Sequence, residues 1–327
     1  MASINYTTCI INNSTPSVIS VAIYATVGSL GSVFIIISNL LILVSVIRFS
    51  HLRLTSNILI ANLAVADLLV GVVLIPVNVA SILDPMFTET KYGCTVKVFN
   101  WIFILGSAIL GLFIISIDRL TAITAPLTYK TTNTRPIAVT ACLITWLFWL
   151  LTSTLSFFVF NIWDCSKLCT VANVIEKAAF QFIAFTLGIP FLFSCVSFLI
   201  ILRKLSRFDK SNVTRGNKDM KRRTTLMAMV FGLFVLFLIP LIISAVYASS
   251  VNVISNRILI EWLILLGGMN SAVNGFIYGV KRPEFRKAYL AIIFCKTGNR
   301  VQPVQTTMHV STVSRRSDQL ATTGTSA

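Results

Sequence analysis

The chain has 327 residues, of which 56% are hydrophobic and only 12% charged, and it carries a formal net charge of +16. Such a composition holds too little polar surface to wrap a soluble globule of this size, which excludes the soluble classes and leaves a helical membrane protein. Seven apolar runs follow one another, at residues 18–47, 56–82, 96–116, 136–160, 178–202, 224–248 and 258–278. Each is longer than the ~20 residues that a helix needs to cross a hydrocarbon core of ~30 Å. The fold class expected is an all-α membrane protein, a bundle of seven transmembrane helices. Residues 1–17 lack the basic start of a signal peptide, so the first run is expected to serve as the insertion signal.

Lys and Arg set the orientation, because they resist translocation. With the N-terminus outside, only Lys91, Lys97, Lys167, Lys177 and Arg257 of the 27 basic residues face outward. The rest gather between the runs on the other side and beyond residue 280. The expected protein is a multi-pass plasma-membrane protein with its N-terminus extracellular and its C-terminus cytoplasmic. The net positive charge then answers to topology and to an anionic inner leaflet, not to nucleic acid. Asn5, Asn12 and Asn13 begin glycosylation triplets on the translocated side. Of the seven cysteines, Cys9, Cys94, Cys165 and Cys169 face the oxidising exterior, where four thiols allow three connectivities. Cys142 and Cys195 lie within runs, where a buried thiol acts as a small apolar residue.

Several runs carry isolated polar groups. Asp67 lies deep in the second, where an ionised carboxylate costs at least ~2.5–3.5 kcal/mol on insertion scales. It must face the bundle interior, and Asn39 in the first run with Asn270, Ser271 and Asn274 in the seventh can supply partners. Asp118 and Arg119 follow at the inner end of the third run. Adjacent on a helix, their side chains diverge by ~100°, which makes them a local pair at the membrane edge.

These residues, taken in order, resemble the rhodopsin-like (class A) G-protein-coupled receptors across residues 18–295. Asn39 matches the family's first-span asparagine and Leu63-Ala64-Val65-Ala66-Asp67 its second-span signature. Cys94 matches the cysteine at the outer end of the third span, Asp118-Arg119-Leu120 the Asp-Arg-Tyr motif, and Trp146 the fourth-span tryptophan. Pro190 and Pro240 match the fifth- and sixth-span prolines, and Asn274-Gly275-Phe276-Ile277-Tyr278 the Asn-Pro-x-x-Tyr motif. Four departures stand out: Leu120 for the motif tyrosine, Gly275 for the seventh-span proline, Leu238 for the sixth-span tryptophan, and Met220 where many members carry a glutamate that restrains the arginine.

The resemblance implies a cell-surface receptor that binds an extracellular ligand and promotes nucleotide exchange on a heterotrimeric G protein. Asp118, Arg119, Tyr278, Asn274, Pro240 and Leu238 are then its switch residues, and Met220 with Leu238 would raise ligand-independent signalling. It implies a Cys94–Cys169 disulfide. It also implies a ligand pocket lined by Trp101, Leu105, Phe182, Thr186, Leu241, Ile242, Ala245, Glu261 and Ile264. Trp101 stands where amine receptors of the family carry an aspartate, which points away from a biogenic amine. Asp67 with Asn39, Asn270, Ser271 and Asn274 maps onto the family's sodium site, although Ala108 replaces its third-span serine; no other cofactor is expected. Residues 281–295 resemble the family's amphipathic eighth helix on the membrane surface, with Cys295 a palmitoylation candidate among the lipids. Residues 296–327 are expected to form a disordered cytoplasmic tail that recruits arrestin once phosphorylated.

Other classes fit less well. A retinal-binding opsin needs a lysine in the seventh span, and residues 258–278 hold none. An enzyme is not expected, because the two histidines, His51 and His309, lie outside the spans. A membrane transporter, or a non-signalling scaffold of the same fold, is the remaining alternative, but the halves of the chain show no internal symmetry.

Overall fold

A computed structural model describes residues 17–132, 134–164, 169–208, 222, 224–237, 239–240 and 257–295. The glycosylation candidates Asn5, Asn12 and Asn13 lie outside the described residues. So do Cys9, Cys165, Met220, Leu238, Leu241, Ile242, Ala245 and the tail from 296 onward. The main helices are α1 (Val18–Arg48), α2 (Thr55–Leu83), α3 (Lys91–Thr124), α4 (Thr134–Phe158), α5 (Lys177–Phe208), α6 (Thr224–Phe237), α7 (Arg257–Lys281) and α8 (Pro283–Ile293). Six of them are long and apolar enough to cross a membrane, and α6 is the described part of the sixth span. Polar caps set several starts: the Ser17 hydroxyl accepts from the Ser20 N–H at 3.2 Å, and the Thr90 hydroxyl from the Gly93 N–H at 3.1 Å. The third helix runs on to Thr124, past the end of its apolar stretch, so Asp118 and Arg119 stand within a helix and not at its end.

The bundle is apolar on its outer face and turns its isolated polar groups into an interior otherwise packed with apolar side chains. Asn39, Asp67, Ser107, Asn270, Ser271 and Asn274 are buried, whereas Leu143, Ile144, Leu147 and Leu151 of α4 are exposed. That arrangement suits a hydrocarbon solvent, in which polar groups must find partners within the protein. α2 widens into a π-turn over Val70–Leu74, just before Pro76, which has no N–H to give the helix ladder. The Gly71 carbonyl in that turn accepts the Ser32 hydroxyl of α1.

α7 is unbroken through Gly275, the position at which the family motif places a proline. A Cβ there would meet the Ser38 backbone carbonyl of α1 at 2.7 Å, so glycine permits a direct approach of two helix backbones. Beyond α7, Arg282 is buried; it donates to the Asn57 side-chain oxygen at 2.6 Å and lies 5.0 Å from the Phe285 ring centroid. Phe285 and Ala288 are buried, while Leu290 and Ile293 are exposed, so α8 is amphipathic against the bundle. The exposed Cys295 follows it with a positive φ of 45°.

Gly275→Ala is expected to destabilise the bundle by about 1–3 kcal/mol, since the new methyl meets backbone and cannot be relieved by a rotamer change. Thermal unfolding in detergent should register a fall of several degrees, and Gly275→Pro should be at least as harmful.

Candidate functional site

At mid-depth, α2 and α7 are tied through Asp67. Its carboxylate accepts the Ser271 hydroxyl at 2.6 Å and the Asn274 amide at 2.7 Å. Asn39 stands behind this centre and donates to the Ser271 backbone carbonyl at 3.0 Å and to the Ile35 carbonyl at 3.0 Å. The side-chain oxygens of Asn39, Asn270 and Asn274 are buried without a hydrogen-bond partner among the described residues. Asp67, Asn270, Ser271 and Asn274 line a cavity of about 60 Å³, room for a few waters. Asn39 does not line it. Ala108 does, whereas the neighbouring Ser107 hydroxyl turns back to the Phe103 carbonyl at 2.7 Å.

The same cavity reaches toward the disulfide end of the bundle, where Cys94 of α3 is bonded to Cys169. Trp101, Leu105 and Ile264 line it there, together with Ile104 and Gly268. Phe182 does not: it is exposed on α5, 6.5 Å from the Phe148 ring, and Ile183 takes the buried place on that turn. The Thr186 hydroxyl bonds its own helix, at the Phe182 carbonyl. Glu261 is not a free acid at a pocket mouth either. It is buried and ion-paired with Lys97 of α3, whose ammonium also reaches the Ser81 hydroxyl of α2 at 3.1 Å. By charge counting alone Lys97 is one of the outward-facing basic residues, and its place in an otherwise apolar run is the one signal of a buried role.

At the opposite end, Arg119 is buried and folds back on its neighbour: its Nε donates to Asp118 at 2.8 Å. Tyr129, in the short helix Pro126–Thr131, donates to Asp118 at 2.9 Å and accepts from Arg119 at 3.2 Å. Burial pushes the Tyr129 hydroxyl above its ordinary pKa, so it stays a donor. Tyr129 was not singled out from the sequence, because nothing local marks a loop tyrosine as the partner of a helix ten residues away. Arg119, Tyr278 and Met227 line a second cavity with Ile201 and Phe231. The Tyr278 hydroxyl is buried and, among the described residues, finds only the Met227 sulfur of α6, at 3.6 Å, a weak acceptor. Trp146 donates to Asn62 of α2 at 2.8 Å, and Pro190 sits inside α5. Pro240 lies at the limit of the described part of the sixth span.

The Lys97–Glu261 pair generates a stability test. Lys97→Met alone strands a buried carboxylate and should cost about 3–5 kcal/mol. The double variant Lys97→Met/Glu261→Leu fills the same space without charge and should bring the thermal midpoint back close to the parent.

The sequence pattern described as "7 transmembrane receptor (rhodopsin family)" matches residues 38–278. Trace amine-associated receptor 4 of Mus musculus is 26% identical over 285 residues, covering 80% of this chain and 82% of that protein. Histamine H2 receptor of Homo sapiens is 25% identical over 247 residues, covering 70% and 67%. Trace amine-associated receptor 9 of Rattus norvegicus is 28% identical over 300 residues, covering 83% and 86%. With this match over most of its length, seven spans and the disulfide in place, the chain belongs to the rhodopsin-like, class A family of G-protein-coupled receptors.

Proposed function

We propose that the protein is a plasma-membrane receptor, with its disulfide end outside, that moves between two helix packings and promotes nucleotide exchange on a heterotrimeric G protein. The observation that carries this is the placement of Arg119. It is buried beside a cavity bordered by α5, α6 and α7, and its polar partners among the described residues, Asp118 and Tyr129, belong to its own helix and the turn after it. An arginine so held can swing toward the cavity without breaking a bond to the described part of α6, and the Tyr278 hydroxyl, which finds the Met227 thioether as its partner among the described residues, can follow. Met220 and Leu238 support appreciable exchange without ligand, because each lacks a restraint the family usually has. In this reading the tail recruits arrestin after phosphorylation, and α8 with Cys295 lies against the lipid surface.

The ligand is proposed to enter from the disulfide end and to be something other than a simple amine. The relatives named above are receptors for trace amines and histamine, but the cavity meets α3 at Trp101 and is walled there by Ile104, Leu105 and Ile264. An apolar body suits those walls.

The Asp67 centre fits a hard monovalent cation such as sodium. A carboxylate, the Ser271 hydroxyl and the oxygens of Asn270 and Asn274, which have no hydrogen-bond partner among the described residues, meet at one end of the cavity, and oxygen donors suit such an ion. When bound, the ion would neutralise the carboxylate and favour the packing that holds α2 to α7.

Two measurements test these readings. In a reconstituted nucleotide-exchange assay with a panel of G proteins, the parent should exceed a receptor-free control and Arg119→Ala should lose the excess at equal surface level; an unchanged rate sinks the coupling role. Sodium replacing N-methylglucamine at constant ionic strength should lower basal exchange, Asp67→Asn should abolish that effect, and Ala108→Ser should enlarge it. No sodium response in either the parent or Ala108→Ser removes the ion from the reading.

A further inference from the structure

The buried pair Lys97–Glu261 lies one helical turn beyond the cavity. Trp101 is four residues along α3 from Lys97, and Ile264 three residues along α7 from Glu261, so each cavity-lining residue shares a face with one member of the pair. The pair joins α3 to α7, and the Ser81 hydroxyl brings in α2. Only one carboxylate oxygen of Glu261 is engaged. The other is buried and has no hydrogen-bond partner among the described residues. The Tyr24 hydroxyl is also partnerless and lies within electrostatic reach of the Glu261 carboxylate. One turn inward of Ser81, the Asn78 side-chain oxygen is a third buried acceptor without a donor.

Stability does not account for such a pair, since apolar residues of equal volume serve a fold as well or better. Ligand recognition does. An incoming monocation that took Glu261 would leave the Lys97 ammonium buried and uncompensated, and an incoming monoanion that took Lys97 would leave Glu261 so. Each carries the large penalty of an unpaired buried charge. A molecule bearing both charges replaces each partner with its equivalent and buries no net charge. Its ammonium protons also find an acceptor in the idle Glu261 oxygen.

We propose that Lys97 and Glu261 form the charged subsite of the ligand pocket, and that it takes a small zwitterion, an amino acid or a close analogue. Its carboxylate meets Lys97, its ammonium meets Glu261, and its apolar side chain rests in the cavity against Trp101, Leu105 and Ile264. The proposal rests on the receptor reading of the cavity and names the ligand class that cavity accepts.

The test uses detergent-solubilised full-length receptor and its thermal midpoint, a readout that needs no G protein. The probes are the standard apolar and aromatic amino acids, each with its decarboxylated amine and its deaminated acid. L-phenylalanine, phenethylamine and 3-phenylpropionate are one such set, alike in body and different in charge. At saturating concentration at least one zwitterion should raise the parent's midpoint by ~2 °C or more, and its amine and acid should not. In Lys97→Met the preference should pass to the amine, which repairs the stranded Glu261, and in Glu261→Leu to the acid. Should neither single variant fold, Lys97→Met/Glu261→Leu decides, because it should no longer be stabilised by the zwitterion that stabilises the parent. The proposal is overturned if no zwitterion shifts the parent, if the amine or acid alone shifts it as much, or if the double variant keeps the response. Basal exchange that remains dependent on Arg119 while this test fails would leave the receptor reading standing and remove only the ligand class.

Discussion

The Asp67 carboxylate fixes the register of the bundle. Its two hydrogen bonds both run to α7, and they set that helix in height and rotation against α2. An ionised group at mid-membrane depth cannot turn to the lipid, so a packing that lost these partners would have to supply others. With Ser271 and Asn274 so placed, the phase of an α-helix carries the rest of α7. Gly275 falls against Ser38, Tyr278 beside Met227, and Glu261 opposite Lys97. The two polar ends of the molecule are therefore positioned by one helix, and the carboxylate that holds it lies between them.

Gly275 shows how a departure from a family motif can be matched by its surroundings. A proline there would bend α7 and keep α1 at a distance. Glycine leaves the helix regular and lets the Ser38 backbone come within reach of where a Cβ would be. The Gly275 carbonyl is also approached by the Tyr289 hydroxyl of α8, at 3.3 Å. α1, α7 and α8 thus meet at one residue without a side chain, and the Arg282 bond to Asn57 of α2 closes the same corner. This corner is packed and hydrogen-bonded, and the Tyr278 ring is buried beside Phe285, whereas the Tyr278 hydroxyl has only the weak Met227 sulfur as a partner among the described residues.

The architecture was legible in the sequence because hydrocarbon imposes a single constraint that composition displays directly. Runs long enough to span, a carboxylate with amides to receive it, and an arginine at a span's end could all be read from residue types. What escaped the sequence was pairing between helices and rotation about a helix axis. Lys97 looked like a topology charge because counting basic residues says nothing of what lies across the bundle, and Glu261 therefore looked unpaired. Phe182 was assigned to the cavity because α5 is apolar all round, so no stripe marks its inner face; the structure puts Ile183 inward instead. Asn39 belonged to the right cluster, but it acts through the Ser271 backbone and not at the cavity wall. Tyr129 became visible only with the turn that returns the chain to Asp118.

The bonds along α7 are unequal, and their order bears on how one end can influence the other. Glu261 lies about 15 Å along the axis from Ser271, and Tyr278 about 10 Å beyond it. The centre is held by two short hydrogen bonds to one buried carboxyl group, at 2.6 and 2.7 Å. At the disulfide end the tie is an ion pair, which a molecule of matching charge can replace without exposing either partner to an apolar medium. At the Arg119 end the tie is a hydroxyl against a thioether, worth little and easily exchanged for a better acceptor or a water. α7 is fixed near its middle and packed against α1 and α8 at its inner end, so the ties free to change are the ion pair at Glu261 and the hydroxyl contact of Tyr278, and both can change without loss of the central bonds. Any ligand that fits one arrangement of these ties better than another then shifts the population by its difference in affinity and by nothing more.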